Sequence, residues 1–182
     1  RKEVRHKITS TVKFNMAIAI PSAVGLAVLA DPIMALLFPS LGEYHDLAAG
    51  LLRAGSSAAV FYALSTITTS ILQGTNHMAV PVLHSAVSLA IHIGVVVGML
   101  YAGCGVWALL VGNVVFPLIV CTLNCRSVAR LLRYRWNAAS IFVIPFLCAA
   151  VMGLACWGVY ALLLRLTGVM VLAFIVAFVV AV

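Results

Sequence analysis

The chain has 182 residues, of which 65% are hydrophobic and 8% charged, with a mean hydropathy of +1.21. That composition excludes a water-soluble globular domain, which would have nowhere to hide so much apolar surface. Eleven Lys and Arg against four Asp and Glu leave a net charge of +7, and because the bases flank apolar runs instead of lining a groove with aromatic platforms, nucleic-acid binding is set aside in favour of contact with anionic lipid headgroups.

A helix crossing the hydrocarbon core, roughly 30 Å thick, needs about 20 apolar residues. Six runs stand out in chain order, at about 14–38, 47–72, 79–101, 106–124, 140–163 and 167–182. The predicted fold class is all-α: a polytopic membrane protein with six transmembrane helices. The first run is too long for one straight span. Lys13 to Asp31 covers the core, Pro32 ends or kinks the helix, and Ile33 to Phe38 forms a short turn at the interface. The last run reaches Val182 with no polar flank, and Arg1 is neither a start methionine nor preceded by a signal peptide. A C-terminal fragment of a longer protein is therefore expected.

The Lys/Arg bias of the short loops sets the orientation. Arg1, Lys2, Arg5, Lys7 and Lys13 lead the chain, and Arg126, Arg130, Arg133 and Arg135 lie between the fourth and fifth runs. Both segments fall on one side if every run crosses once. The other side carries Glu43, Asp46 and Arg165. Residues 1–13 and 125–138 are thus expected in the cytoplasm and 39–46 outside it.

Arg53 is the one cation inside an apolar run, and an intramembrane charge is a functional candidate by default. At the outer interface it could snorkel, pair with Asp31 from the preceding helix, or contact a headgroup or substrate. The second run is rich in hydroxyls (Ser56, Ser57, Ser65, Thr66, Thr68, Thr69 and Ser70), which serve close helix packing or, alternatively, a polar cavity wall. In the third run Pro81, His84, Ser85, Ser88 and His92 share one arc of about 100° on a helix. Unpaired polar groups in hydrocarbon cost several kcal/mol, so this stripe must face protein or water. A cavity lining is favoured over a metal site or a proton relay, and an uncharged, buried packing role is the further reading for either His. Pro21, Pro81, Pro117 and Pro145 fall inside runs, as in the broken helices of rocking transporters and also in static bundles.

Cys104, Cys121, Cys125, Cys148 and Cys156 include no CxxC pair, and neither they nor His84 and His92 have the spacing and further ligands of a zinc site. No metal and no cofactor is expected. Glu3, Asp31, Glu43 and Asp46 all lie at interfaces or in loops, without the partnered spacing of acid–base or nucleophilic catalysis, so the chain does not read as an enzyme. A cation-coupled antiporter would place a carboxylate inside the membrane, and none lies in the interior of these six runs.

Several stretches together resemble a known family. They are Ile20-Pro21-Ser22-Ala23-Val24-Gly25-Leu26, then Ala30-Asp31-Pro32-Ile33 and Leu36-Leu37-Phe38; Leu52-Arg53; Ile71-Leu72-Gln73-Gly74 followed by Val80-Pro81-Val82; and Asn124, in the place of the Asn that ends the helix before the basic loop. The chain is similar to polysaccharide-biosynthesis membrane proteins of the stage V sporulation protein B type. These belong to the multidrug/oligosaccharidyl-lipid/polysaccharide flippase superfamily. The likeness covers residues 1 to 135; beyond them it is one of hydropathy only. It implies a MATE-like fold of two six-helix lobes with two added C-terminal helices. Residues 1–135 would supply the last four helices of the second lobe and 136–182 the added pair.

The implied function is ATP-independent flipping of an undecaprenyl-linked saccharide or peptidoglycan precursor across the bacterial cytoplasmic membrane. The implied partners are that lipid, the surrounding membrane lipids and the missing N-terminal lobe. A cation-coupled multidrug antiporter and a non-transporting envelope assembly factor are the alternatives. The sequence departs from the family at His84 and His92, where Asn and Lys are usual, and Asn76 or His77 replaces a Lys after the Gln73-Gly74 turn. Because His can be neutral at pH 7, His92 is expected to make substrate binding pH-dependent. Identical pH profiles of flipping for wild type and His92→Lys would refute that.

Overall fold

The computed structural model describes residues 2–134, 136–137, 139–167 and 170–181. Among the described residues seven α-helices form: α1 (Lys2–Val28), α2 (Ala30–Leu37), α3 (His45–Gly74), α4 (Ala79–Tyr101), α5 (Val106–Leu131), α6 (Ile144–Thr167) and α7 (Met170–Ala181). A 3-10 segment, Pro39–Tyr44, leads into α3, and a π-helical turn, Ala139–Val143, leads into α6. No strand occurs among the described residues. The protein is an all-α polytopic membrane protein. Among the described residues five stretches are long and apolar enough to span: Glu3–Val28, Pro39–Gly74, Ala79–Tyr101, Val106–Leu131 and Ala139–Arg165. Within the sixth expected run the described residues form α7, whose 12 residues span about 18 Å at 1.5 Å per residue.

The helices outrun the apolar runs at the basic end. α1 begins at Lys2 and α5 continues to Leu131, so Arg126 and Arg130 are helical and the basic connection is shorter than its hydropathy suggests. Hydropathy marks where the bilayer ends, whereas Arg and Lys are good helix formers that carry the helix past it. Asn124 correspondingly lies inside α5, seven residues before its end, and does not close the helix as its motif position implied. Arg135 lies outside the described residues. The two basic segments do share one end. The Thr9 and Tyr134 hydroxyls are 2.8 Å apart, and Arg5, Ile8 and Arg133 line one cleft there.

The break after α1 falls at Leu29, three residues before Pro32. The physical cause is the pyrrolidine ring. Pro32 has no N–H for the carbonyl four residues back, Val28, and its ring crowds that carbonyl. The chain therefore turns at Leu29 and resumes as the eight-residue α2, which makes Ile33–Leu37 helical instead of a turn and leaves Phe38 as its non-helical cap. Pro81 occupies the first turn of α4, where the missing N–H has no intrahelical acceptor, and Pro145 follows the π-helical turn at the start of α6. Only Pro21 and Pro117 stand inside helices among the four prolines of the expected runs.

Short caps make the hairpins. At the end of α3 the His77 N–H donates to Leu72 O at 2.9 Å and the Asn76 N–H to Gln73 O at 3.1 Å, with Asn76 at φ +64°. That is a Schellman closure with Asn in the left-handed position. The same pattern closes α4, with Gly103 at φ +77° and Cys104 N–H donating to Met99 O at 3.1 Å. A β-branched side chain is poorly tolerated in that conformation, so Asn76→Val is expected to lower the unfolding free energy by about 1–2 kcal/mol. Asn76→Gly should not lower it, and denaturant titration distinguishes the two.

Packing places the helices in the order α4, α5, α3, α1, α6, α7, with α2 resting on α3 and touching α7. The main core is a stripe on α1 (Ile8, Val12, Met16 and Ile20, at four-residue spacing) against Leu64, Leu72, Cys121, Val128, Ile141 and Ala149. Leu29, Cys156 and Ala177 form a second, smaller core under α2 and α7. Much of the remaining apolar surface is exposed, as a lipid-facing protein requires.

Candidate functional site

The third-run stripe turns toward α5. His84 Nδ1 lies 2.8 Å from Asn124 Oδ1, and Asn124 Nδ2 donates to Thr69 Oγ1 at 2.9 Å. The amide nitrogen is thereby occupied by the threonine, so the acceptor oxygen faces the ring and His84 Nδ1 must carry the proton. One fully buried asparagine thus ties α3, α4 and α5 together.

Two turns along α4, His92 Nδ1 lies 2.8 Å from the carbonyl oxygen of Gly112. A carbonyl only accepts, so His92 also holds its proton on Nδ1. Its ring meets Phe116 edge-on, with centroids 6.0 Å apart, and Phe116 in turn touches Tyr62 on α3 at 6.4 Å. The contact depends on Gly112. A Cβ there would lie 2.4 Å from Val96 Cγ2 and 2.8 Å from His92 Cε1. Pro81 and Ser88 are buried on this face, and Ser88 Oγ donates to its own helix at His84 O, 2.7 Å away. Ser85 is half-buried beside them.

The hydroxyls of α3 are spent within that helix. Ser56, Ser57, Ser65, Thr66, Thr68 and Ser70 all donate to carbonyls three or four residues earlier, which satisfies them without a cavity. Thr69 is the exception that reaches a neighbour. Asn15 adds a link the sequence reading did not single out: its Nδ2 donates to Ala63 O on α3 at 2.9 Å. A lone amide inside an apolar run was the available signal. Gly112 and Phe116 carried none, because glycine and phenylalanine are common in membrane helices whatever they touch.

Arg53 and Asp31 form the expected ion pair, through Nη2 and Oδ2, and Arg53 Nε also donates to Ala27 O at 3.2 Å. Ala27 sits in the last turn of α1, where carbonyls have no intrahelical donor and a cation complements the helix dipole. Both side chains remain about half exposed, 52% and 55%, so the pair itself contributes under about 1 kcal/mol. Arg53 and the stripe are therefore separate places. The first is at the α2 end, on α3 and α1; the second lies along the α4–α5 contact, with Pro81 and Ser88 buried and His84, Ser85 and His92 half-buried.

Gln73 and Gly74 close α3 next to the Asn76 cap, and Pro21 lies half-buried within α1. Cys121 and Cys125 are one turn apart in α5, Cys104 is exposed in the α4–α5 turn, and all five cysteines are free. Among the described residues no three His, Cys, Asp or Glu converge in a metal-binding group.

The MatE family profile matches residues 1–98, more than half of the chain and all of α1, α2, α3 and most of α4. The chain belongs to the MatE family. That membership places it in the multidrug/oligosaccharidyl-lipid/polysaccharide superfamily, whose members are membrane transporters and not enzymes. No curated protein and no solved structure matches it. Within this MatE chain the match covers the Asp31–Arg53 pair, the Asn76 turn and both histidines, while their partners Gly112 and Asn124 lie beyond it.

Proposed function

We propose that the protein flips an undecaprenyl-linked saccharide or peptidoglycan precursor across the bacterial cytoplasmic membrane, by alternating access and without ATP hydrolysis. In this reading residues 1–135 are the last four helices of the second lobe and 136–182 an added C-terminal pair. Residues 1–13 and 125–138 are cytoplasmic, and 39–46 face outward.

The observation that carries the reading is the position of the carboxylates. Glu3 is in the first turn of α1, Asp31 in the first turn of α2, Glu43 in the 3-10 segment and Asp46 in the first turn of α3. All four acids of the sequence therefore sit at helix ends or in connections, and these spans offer no interior carboxylate to a coupling H⁺ or Na⁺. They offer imidazoles instead. With Nδ1 of His84 and His92 committed to α5, Nε2 of each ring is the atom left for a polar saccharide, alongside Ser85. The Gln73–Asn76 turn and the buried Pro81 add the motif on which the resemblance to saccharide flippases rests.

Membership of the MatE family favours a cation-coupled multidrug antiporter equally. The full-length protein in proteoliposomes separates the two. The expected result is that a fluorescent undecaprenyl-pyrophosphate saccharide becomes accessible to an external quencher without ATP. Drug uptake driven by an H⁺ or Na⁺ gradient, with the saccharide immobile, would establish the antiporter.

A further inference from the structure

Two clefts meet at Ala27. One, about 370 Å³, lies at the α2 end and is lined by Asp31, Arg53, Trp157 and Tyr160 together with Ala27. The other, about 490 Å³, is an apolar groove between α1, α3 and α6, walled by Ile20, Val24, Val60, Phe146 and Leu147, and it also reaches Ala27. From Ala27 to Ile20 the groove follows α1 for about 10 Å at 1.5 Å per residue, heading from the end of the span into its middle. Gly153 joins α6 to α1 between the two levels, since a Cβ there would lie 2.7 Å from Val24 Cγ1.

We propose that these clefts form one binding site for a zwitterionic aminophospholipid, its phosphoethanolamine headgroup at Arg53 and Asp31 and an acyl chain in the groove. Charge complementarity selects this occupant. Arg53 uses Nε and Nη2 for Ala27 and Asp31, so Nη1 takes no part in either bond and can donate to a phosphate oxygen. Asp31 binds Arg53 through Oδ2, and Oδ1 of its half-exposed carboxylate can accept from a primary ammonium. Trp157 and Tyr160 are the residue types that sit at headgroup level. The chain in the groove exchanges one hydrocarbon surround for another and gains no hydrophobic free energy. Selectivity must therefore come from the headgroup pair. The site binds bulk membrane lipid and is independent of the substrate the transporter moves.

The test uses the full-length protein in nanodiscs containing phosphatidylethanolamine with a photoactivatable acyl chain, in parallel with phosphatidylglycerol carrying the same chain. The expected outcome is cross-linking concentrated at residues 142–147 and 56–61 with the ethanolamine lipid. Yield should fall about tenfold in Arg53→Gln, the loss of one charge-assisted contact, and return in Arg53→Lys. Asp31→Asn should erase the preference over phosphatidylglycerol. Val60→Trp, which leaves the ion pair in place, should displace the adduct from the groove. Equal yields for both lipids in wild type, or adducts spread evenly around the protein, would overturn the proposal. So would no adduct at 142–147, as when another protein segment fills the groove.

Discussion

Asn124→Ala is expected to lower the unfolding free energy by about 2 kcal/mol, the scale of removing a buried amide and orphaning its two half-buried partners in a membrane protein. The side chain is fully buried and holds His84 and Thr69 at once. Its removal leaves the His84 Nδ1–H with no acceptor on α5, and the methyl that replaces the amide fills less of the space. The effect should be non-additive with His84→Ala. In a double-mutant cycle followed by thermal or detergent unfolding, the coupling should exceed about 0.5 kcal/mol, the margin within which independent sites add. Strict additivity would mean that the three helices are held by apolar packing alone and that the amide is incidental.

Gly112→Ala, an addition of one carbon, is expected to cost about 1–3 kcal/mol, the usual penalty for overpacking a closed contact. The new Cβ would lie 2.4 Å from Val96 Cγ2 and 2.8 Å from His92 Cε1. Relief needs α4 and α5 to part or His92 to leave the Gly112 carbonyl. The first loses dispersion contacts along the seam, and the second loses a hydrogen bond. Because Val96 is the nearer obstacle, Val96→Ala should restore part of the stability lost in Gly112→Ala while the ring clash persists. No restoration would place the strain at His92 instead. Gly55→Ala is the internal comparison. Its Cβ would meet only the terminal Leu110 Cδ1, at 3.2 Å, and a flexible side-chain end can move aside.

Much of the architecture was legible in the chain. The runs at 47–72, 79–101 and 106–124 correspond to α3, α4 and α5, and α4 matches its run end to end. Apolar length is a direct consequence of bilayer thickness, so it survives without any knowledge of neighbours. Helix ends were less legible. α1 and α5 run on through their basic segments because helix propensity does not stop where hydropathy does, and the turn after α1 comes at Leu29 because a proline acts on the carbonyl four residues earlier. The Asp31–Arg53 pair was foreseeable from depth alone.

The composition, the charge bias and the spacing of apolar runs determined by themselves that this is an all-α membrane protein with its two basic segments at one end. They also determined that His84, Ser88 and His92 share a face, since 3.6-residue periodicity is a property of the helix and not of its surroundings. Only the tertiary structure decided what that face meets. His84 finds an amide 40 residues away and His92 a backbone carbonyl 20 residues away. Such partners depend on which helices lie side by side and at what closeness, and here the closeness is set by a glycine with no side chain to announce it.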